Sequence, residues 1–383
     1  MLRVKRGFLE VFEEKDVNIL YDFEIQIGQR FGGISKYFYE IISIIQKKNG
    51  VNTFLPVILP KSYDLARLKG RKPVNSPYRL NDILFAINNI WFQILLRIGK
   101  FDVIHQTQYR VRIPKYINSK VCITIHDMIW EIYPETDLGG KRAKNKKAAI
   151  DRADEIIAIS NNTKRDLLKI YPNIDPNIVH VVHHGTSYTD INYIERAEWV
   201  PRRYVLYVGT REYYKNFSIF VVAMKKLMDL DDNIYVICTG EKSFTQEEVI
   251  LIENSKEEKG KYLKRFIQHK CSDKELIMLY CNAECFVFPS KYEGFGMPIL
   301  EAYACKCPVV LSNTEIFREV AGDAALYFEP DDPDGLTEVV KTLISDEDLR
   351  RDYILRGTER AKLFTWEECA EETFNIYQNM ISI

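Results

Sequence analysis

A chain of 383 residues is longer than one compact core normally serves, so two domains are expected. Hydrophobic residues make up 46%, enough for a core in each half. Lys+Arg 53 against Asp+Glu 54 leaves a formal charge of -1, which argues against a global nucleic-acid binder. The cysteines at 122, 238, 271, 281, 285, 305, 307 and 369 include no C-x-x-C pair and come with no suitably placed histidine. They read as reduced, mostly buried thiols of a cytosolic protein, not a zinc or redox site.

Residues 1–16, MLRVKRGFLEVFEEKD, are basic and then acidic and lack the apolar core of a signal peptide. VNILYD (17–22) predicts a strand, and GISKYFYEIISIIQKK (33–48), opened by Gly32-Gly33, a helix. VNTFLPVIL predicts a strand. ILFAINNIWFQILLRIG (83–99) is broken by Asn88, Asn89 and Gln93, so it is not a membrane span. It predicts an amphipathic helix, either in the core or on a membrane surface. FDVIHQT, KVCITIHDM, DEIIAIS and IVHVVHHG predict further strands, with a helix from NNTKRDLLKIY between the last two. Their near-continuous apolar character is that of parallel strands covered on both faces.

A polar stretch at 186–202 reads as a linker. The alternation then restarts with RYVLYVGT, a helix, NIYVICTG, the helical TQEEVILIENSKEEK (245–259), and YLKRFIQ (262–268) as a strand. SDKELIMLYCNA predicts a helix capped by Ser272. The strands ECFVFPS, CPVVLSN and AALYFEP, a helix from PDGLTEVVKTLI and a helical tail follow. The pattern predicts two doubly wound, Rossmann-like α/β domains facing across a cleft, 1–190 and 200–365, with the tail helix 366–383 packing back on the first. Ligands of such sheets sit outside the carboxyl ends of the strands, which is where to look for chemistry.

In SKYEGFGMPILEAYACKCPVV (290–310), Glu293 follows a strand, Gly294 and Gly296 allow close backbone approach, and Pro298 suits a first helical turn. Glu301 then falls about one turn into the helix. The free N–H groups of 295–298 form an anion site, and carboxylates bind diols. Together these suit a nucleoside diphosphate sugar. A solvated Glu293 and a salt-bridging Glu301 are the plainer alternative on spacing alone.

The run FVFPSKYEGFGMPILEAYACKCPVVLSNTEIFREVAGDAALYFEPDDP resembles the donor half of retaining glycosyltransferases of the group 1 (family 4) type, which have the GT-B fold. YVGTREYYKNF and GGISKYF also resemble that family. The likeness runs from about 17 to 366 and is most specific over 272–330. It implies sugar transfer from a nucleotide donor with retained anomeric configuration, the second domain binding the donor and the first the acceptor. It places Glu293 beside the donor sugar, Glu301 on the ribose, and Gly209, Phe295, Gly296 and Met297 around the donor. Lys215 matches the family lysine that stabilises the leaving diphosphate, and Arg211 stands in for the family arginine one residue from its usual place. Gly33 belongs to a glycine loop against the donor phosphate. His126 resembles the histidine beside the donor sugar, and His105 is expected on the acceptor side. Lys36 replaces the arginine of the GGISRYF form, which removes a bidentate contact.

No metal site is expected: DLDD and DDPD read as solvated turns, and cations with helix amides can serve the diphosphate instead. No cofactor is expected beyond the donor substrate. The GGIS(K/R)YF type points to mannose from GDP-mannose in cell-surface polysaccharide or lipopolysaccharide synthesis, with UDP-hexoses open. A nucleotide-sugar epimerase and a non-catalytic nucleotide-sugar-binding protein are the competing readings. The acceptor is expected to be a glycan or a lipid-linked glycan, and the protein cytoplasmic, either free or in peripheral contact with the inner face of the membrane, with no nucleic-acid partner.

Overall fold

Along the central strands successive side chains alternate between two buried faces. Leu206, Ile237, Phe286 and Val309 enter one apolar cluster, and their neighbours Val205, Val236, Val287 and Val310 enter another. Burial on both faces is why these strands read as unbroken apolar runs. The computed structural model describes residues 16–30, 32–68, 70–74, 80–188, 191, 194–240, 243–253 and 260–382. The N-terminal segment 1–15, part of the expected linker and 254–259 of the expected 245–259 helix lie outside the described residues.

Twelve strands are present among the described residues: β1 Val17–Tyr21, β2 Val51–Phe54, β3 Val103–Gln106, β4 Lys120–Ile125, β5 Glu155–Ala158, β6 Val179–Val181, β7 Tyr204–Val208, β8 Tyr235–Thr239, β9 Phe266–His269, β10 Cys285–Phe288, β11 Val309–Ser312 and β12 Leu326–Phe328. They form two six-stranded sheets, ordered β2-β1-β3-β4-β5-β6 and β12-β11-β10-β7-β8-β9. Pairing is parallel, as in β1 with both β2 and β3 and β7 with both β8 and β10. The order reverses between β1 and β3 in the first sheet and between β7 and β10 in the second. The fold is doubly wound α/β of the GT-B kind.

By compactness the chain divides into two units. The first is Met1–Ile123 with Ala148–Asp154 and Phe374–Ile383, and the second is Thr124–Lys147 with Glu155–Thr373. The expected boundary near 190 therefore falls inside the second unit, and the last ten residues of the tail belong to the first. The first unit's core joins Leu20, Phe23, Ile104 and Val121 to Phe92 and Leu96 of the helix Asn81–Ile98.

Three expected strands are shorter than their apolar runs. β2 stops before Pro56, which has no N–H for a ladder. β6 stops at Val181, ahead of the buried His184. Leu263–Arg265 is a 3-10 turn before β9, because the Arg265 guanidinium donates to the carbonyls of Met228 and Asp231 at 3.1 and 3.2 Å. The helix Asp273–Asn282 opens as expected at Ser272, in a full capping box with Glu275. No helix among the described residues is long and apolar enough to cross a membrane.

Candidate active site

The strand order of the second sheet reverses between β7 and β10, and ligands of such sheets bind outside the carboxyl ends of the strands at a reversal. After β7 the chain turns at Gly209, whose φ of 127° suits glycine. A 3-10 turn, Tyr213–Lys215, leads to Asn216 in the left-handed region and the helix Phe217–Leu230. After β10 comes the segment 289–296, then the helix Met297–Ala304, entered through Gly296 at φ 106°. Lys291 N–H donates to the Tyr214 carbonyl at 2.8 Å, tying the two segments together.

Lys215 Nζ lies 2.6 Å from Glu293 Oε1, and both side chains are largely buried. The ammonium also sits 5.3 Å from the Tyr214 ring centroid and 5.5 Å from that of Phe288. The cation and the carboxylate singled out in the sequence are thus one ion pair. Such a pair can open to present a positive charge to a phosphate and a carboxylate to a sugar hydroxyl.

Arg211 is nearly buried and turned toward Glu248, at 2.7 Å from Nε, with Nη2 donating to the Ser243 carbonyl at 3.0 Å. Its guanidinium lies 5.1 Å from the Phe244 ring centroid. A charge held this way reaches a diphosphate only by exchanging Glu248 for it.

The Glu293 segment is held on the side of the 126–166 residues. A Cβ on Gly294 would stand 1.8 Å from the His126 carbonyl oxygen, so only glycine permits this approach. The Gly294 carbonyl accepts from Ser160 Oγ at 2.8 Å and Thr163 Oγ1 at 3.2 Å. Tyr292 Oη donates to Asp166 at 3.0 Å and accepts from Met128 N–H at 3.2 Å. His126 follows β4, is buried, and its ring lies 5.8 Å from that of His184. Burial, with the neighbouring imidazoles of His126 and His183, pushes His184 well below the usual imidazole range.

Glu301 is half-buried one turn into the Met297–Ala304 helix. It lies close enough to Tyr188 to help burial push that phenol up. Met297 packs partly buried against the same core. Phe295, expected at the donor, is a core side chain instead. It is buried against His184 at 5.2 Å and Phe364 at 5.8 Å between centroids, so only its backbone is available to a ligand.

The first unit carries the other two candidates. Gly33 begins the helix Gly33–Ile45, after Gly32 at φ 152°. The Gln29 side chain accepts from Ser35 N–H at 3.0 Å in the first turn. His105, expected on the acceptor side, is a core histidine. It is fully buried, stacked on Tyr21 at 5.7 Å, edge-on to Phe38 at 5.1 Å and bonded to Tyr377 Oη. It lies inside β3, whose side chains are all buried, and burial lowers its pKa to about 3.

Two buried carboxylates escaped the sequence reading. Asp22 accepts from Glu24 N–H at 2.8 Å and Thr107 N–H at 2.9 Å. Glu24 accepts from the N–H groups of Arg110 and Val111 at 2.8 and 3.1 Å. Burial pushes both up, and Asp22 adds to the effect on Glu24. Their place just past β1, beside the reversal of the first sheet, was the available signal.

Residues 194–360 match the family described as "Glycosyl transferases group 1", and residues 31–189 match "Glycosyltransferase Family 4". O-antigen chain mannosyltransferase B of Escherichia coli is 31% identical over 272 residues, 67% of this chain and 69% of the relative. The chain is a group 1 glycosyltransferase. The transferase is also similar to O-antigen chain mannosyltransferase RfbU of Salmonella typhimurium, 26% identical over 69% of this chain and 72% of that one. Among solved structures it resembles Anabaena Alr3699/HepE in complex with UDP and glucose, with a TM-score of 0.70 at 16% identity over 94% and 98% of the two chains.

Proposed function

We propose that this glycosyltransferase moves mannose from GDP-mannose to a glycan acceptor in cell-surface polysaccharide synthesis, with retention at the anomeric carbon. The observation that carries the donor site is the Lys215–Glu293 pair at 2.6 Å, set at the reversal of the second sheet. Mannose is supported by the two O-antigen mannosyltransferases it resembles. Lys215, helped by Arg211 once released from Glu248, stabilises the diphosphate as the glycosidic bond breaks. The amides of 295–298 take the diphosphate, Glu301 the ribose diol, and Glu293 and His126 the sugar hydroxyls. The acceptor hydroxyl attacks from the face the diphosphate leaves, and the diphosphate takes its proton. The cations make a metal unnecessary, so transfer should run unchanged in EDTA. The acceptor is a lipid-linked glycan, met at the inner face of the membrane.

The test is thermal unfolding with GDP, GDP-mannose, UDP and UDP-glucose. GDP at 100 times its dissociation constant should add about 2.7 kcal/mol. A shift with UDP alone would move the donor to a UDP-hexose, and no shift with any nucleotide would overturn the reading. Lys215→Ala should lower kcat by about 10²–10³-fold, as loss of a preorganised stabilising group does.

A further inference from the structure

The helix Asn81–Ile98 is apolar on two sides. Leu84, Asn88, Phe92 and Leu96 are buried against the first unit. Ile83, Ile87, Ile90, Trp91, Ile94 and Ile98 are exposed, Ile90 by 64% and Ile98 by 70%. At 3.6 residues per turn these six fall within an arc of about 100°, a continuous stripe along a helix roughly 27 Å long. Scattered surface apolar residues need no explanation, but a stripe of this length does. Asn88 bonds the backbone of Ile58 at 2.6 Å through Oδ1 and 3.1 Å through Nδ2. That sets the exposed Ile58 and Leu59 beside the helix.

The charge around the stripe is mostly positive. Residues 80–120 hold Arg97, Lys100, Arg110, Arg112, Lys115 and Lys120 against only Asp82 and Asp102, in a chain whose formal net charge is -1. Asp82 is paired with Arg110, and Asp102 accepts from Asn18 N–H at 2.9 Å. At the carboxyl end of the helix a cavity of about 590 Å³ is lined by Arg97, Lys100, Lys120 and the exposed Tyr116, next to Ile98. Apolar side chains bordered by cations and an aromatic ring match the acyl boundary and phosphates of an anionic bilayer. A second copy fits less well, because a two-fold contact would set the same basic rim against itself.

We propose that this face is the membrane-docking surface: the stripe lies at the boundary between headgroups and acyl chains, and Arg97, Lys100 and Lys120 bind lipid phosphates. This names the partner behind the membrane contact in the function proposed above. It rests on the first unit alone, so it is tested without donor or acceptor.

The experiment is flotation of the full chain with vesicles of phosphatidylcholine, alone or with roughly one third phosphatidylglycerol. Wild type should float with the anionic vesicles and far less with the neutral ones. Ile90→Glu with Ile94→Glu should weaken binding by more than about tenfold, and Arg97→Glu with Lys100→Glu by about tenfold and more weakly at high salt. All four residues are exposed, so the GDP-induced thermal shift should be unchanged in both variants. Wild type left in the soluble fraction overturns the proposal. So does equal flotation of both variants, or light scattering that finds a wild-type dimer dissolved by Ile90→Glu with Ile94→Glu.

Discussion

Gly294 is the residue on which the geometry of the site is most concentrated. Its missing Cβ admits the His126 carbonyl, and its own carbonyl is held by two hydroxyls. Gly294→Ala must push the segments of His126 and Glu293 apart. We expect a loss of about 1–3 kcal/mol, as for other overpacking, and transfer near background. Ser160→Ala leaves Thr163 on the same carbonyl and should cost about 1 kcal/mol. Urea unfolding of the two variants checks both. His105 gives a pH signature. Its folded pKa of about 3 lies below the unfolded value near 6.5, so the unfolded chain binds the extra proton. The contribution is complete above the unfolded value and is lost as pH falls below it. Between pH 7 and pH 5 the stability lost should be about 2 kcal/mol, at 1.36 kcal/mol per unit. In His105→Phe that part of the slope should vanish.

At the scale of elements, the Glu319 carboxylate meets the first turn of the helix Asn161–Ile170. It accepts from Asn161 N–H at 2.7 Å and Asn162 N–H at 3.0 Å, and pairs with His183 at 2.8 Å. Burial alone would raise its pKa, but His183 and the two amides outweigh that and hold it below the usual range. A negative group at a helix start satisfies amides that the helix cannot. Glu319→Ala should cost about 1–3 kcal/mol at neutral pH and progressively less as pH falls through the carboxylate range, which chemical unfolding at both pH values would show. Nothing in the sequence signalled this cap, because its partners are 157 and 158 residues away. What was legible is local. Burial on both faces wrote β7, β8, β10 and β11 as apolar runs, and the capping box at Ser272 is contained in four residues. The places of Lys215 and Glu293 after β7 and β10 were legible, but their pairing across 78 residues was not. The imidazole of His105 was misread because position within a strand does not say which way a side chain turns. The helix Glu347–Ala361 was missed because it is mostly polar, with few buried positions to mark a face.

At the scale of the whole molecule, both sheets reverse their strand order once, and each reversal carries ionisable groups just past a strand end. In the first sheet these are Asp22 and Glu24, in the second Lys215 and Glu293. A net charge of -1 hides an uneven distribution, since residues 80–120 alone carry six basic and two acidic groups. The grip of Ser160 on the Gly294 carbonyl spans 134 residues of chain. Contacts that distant close only after a long loop has been ordered, and chains of this size fold by parts. The segment bearing Glu293 should therefore take its working shape late. In refolding from urea, helical signal should return first and GDP binding afterwards. Ser160→Ala, which also uncaps the helix Asn161–Ile170, should slow the second step more than the first. A nascent chain whose synthesis has not passed Gly296 would hold every residue assigned to the sugar, yet have no helix beyond it to receive the nucleotide.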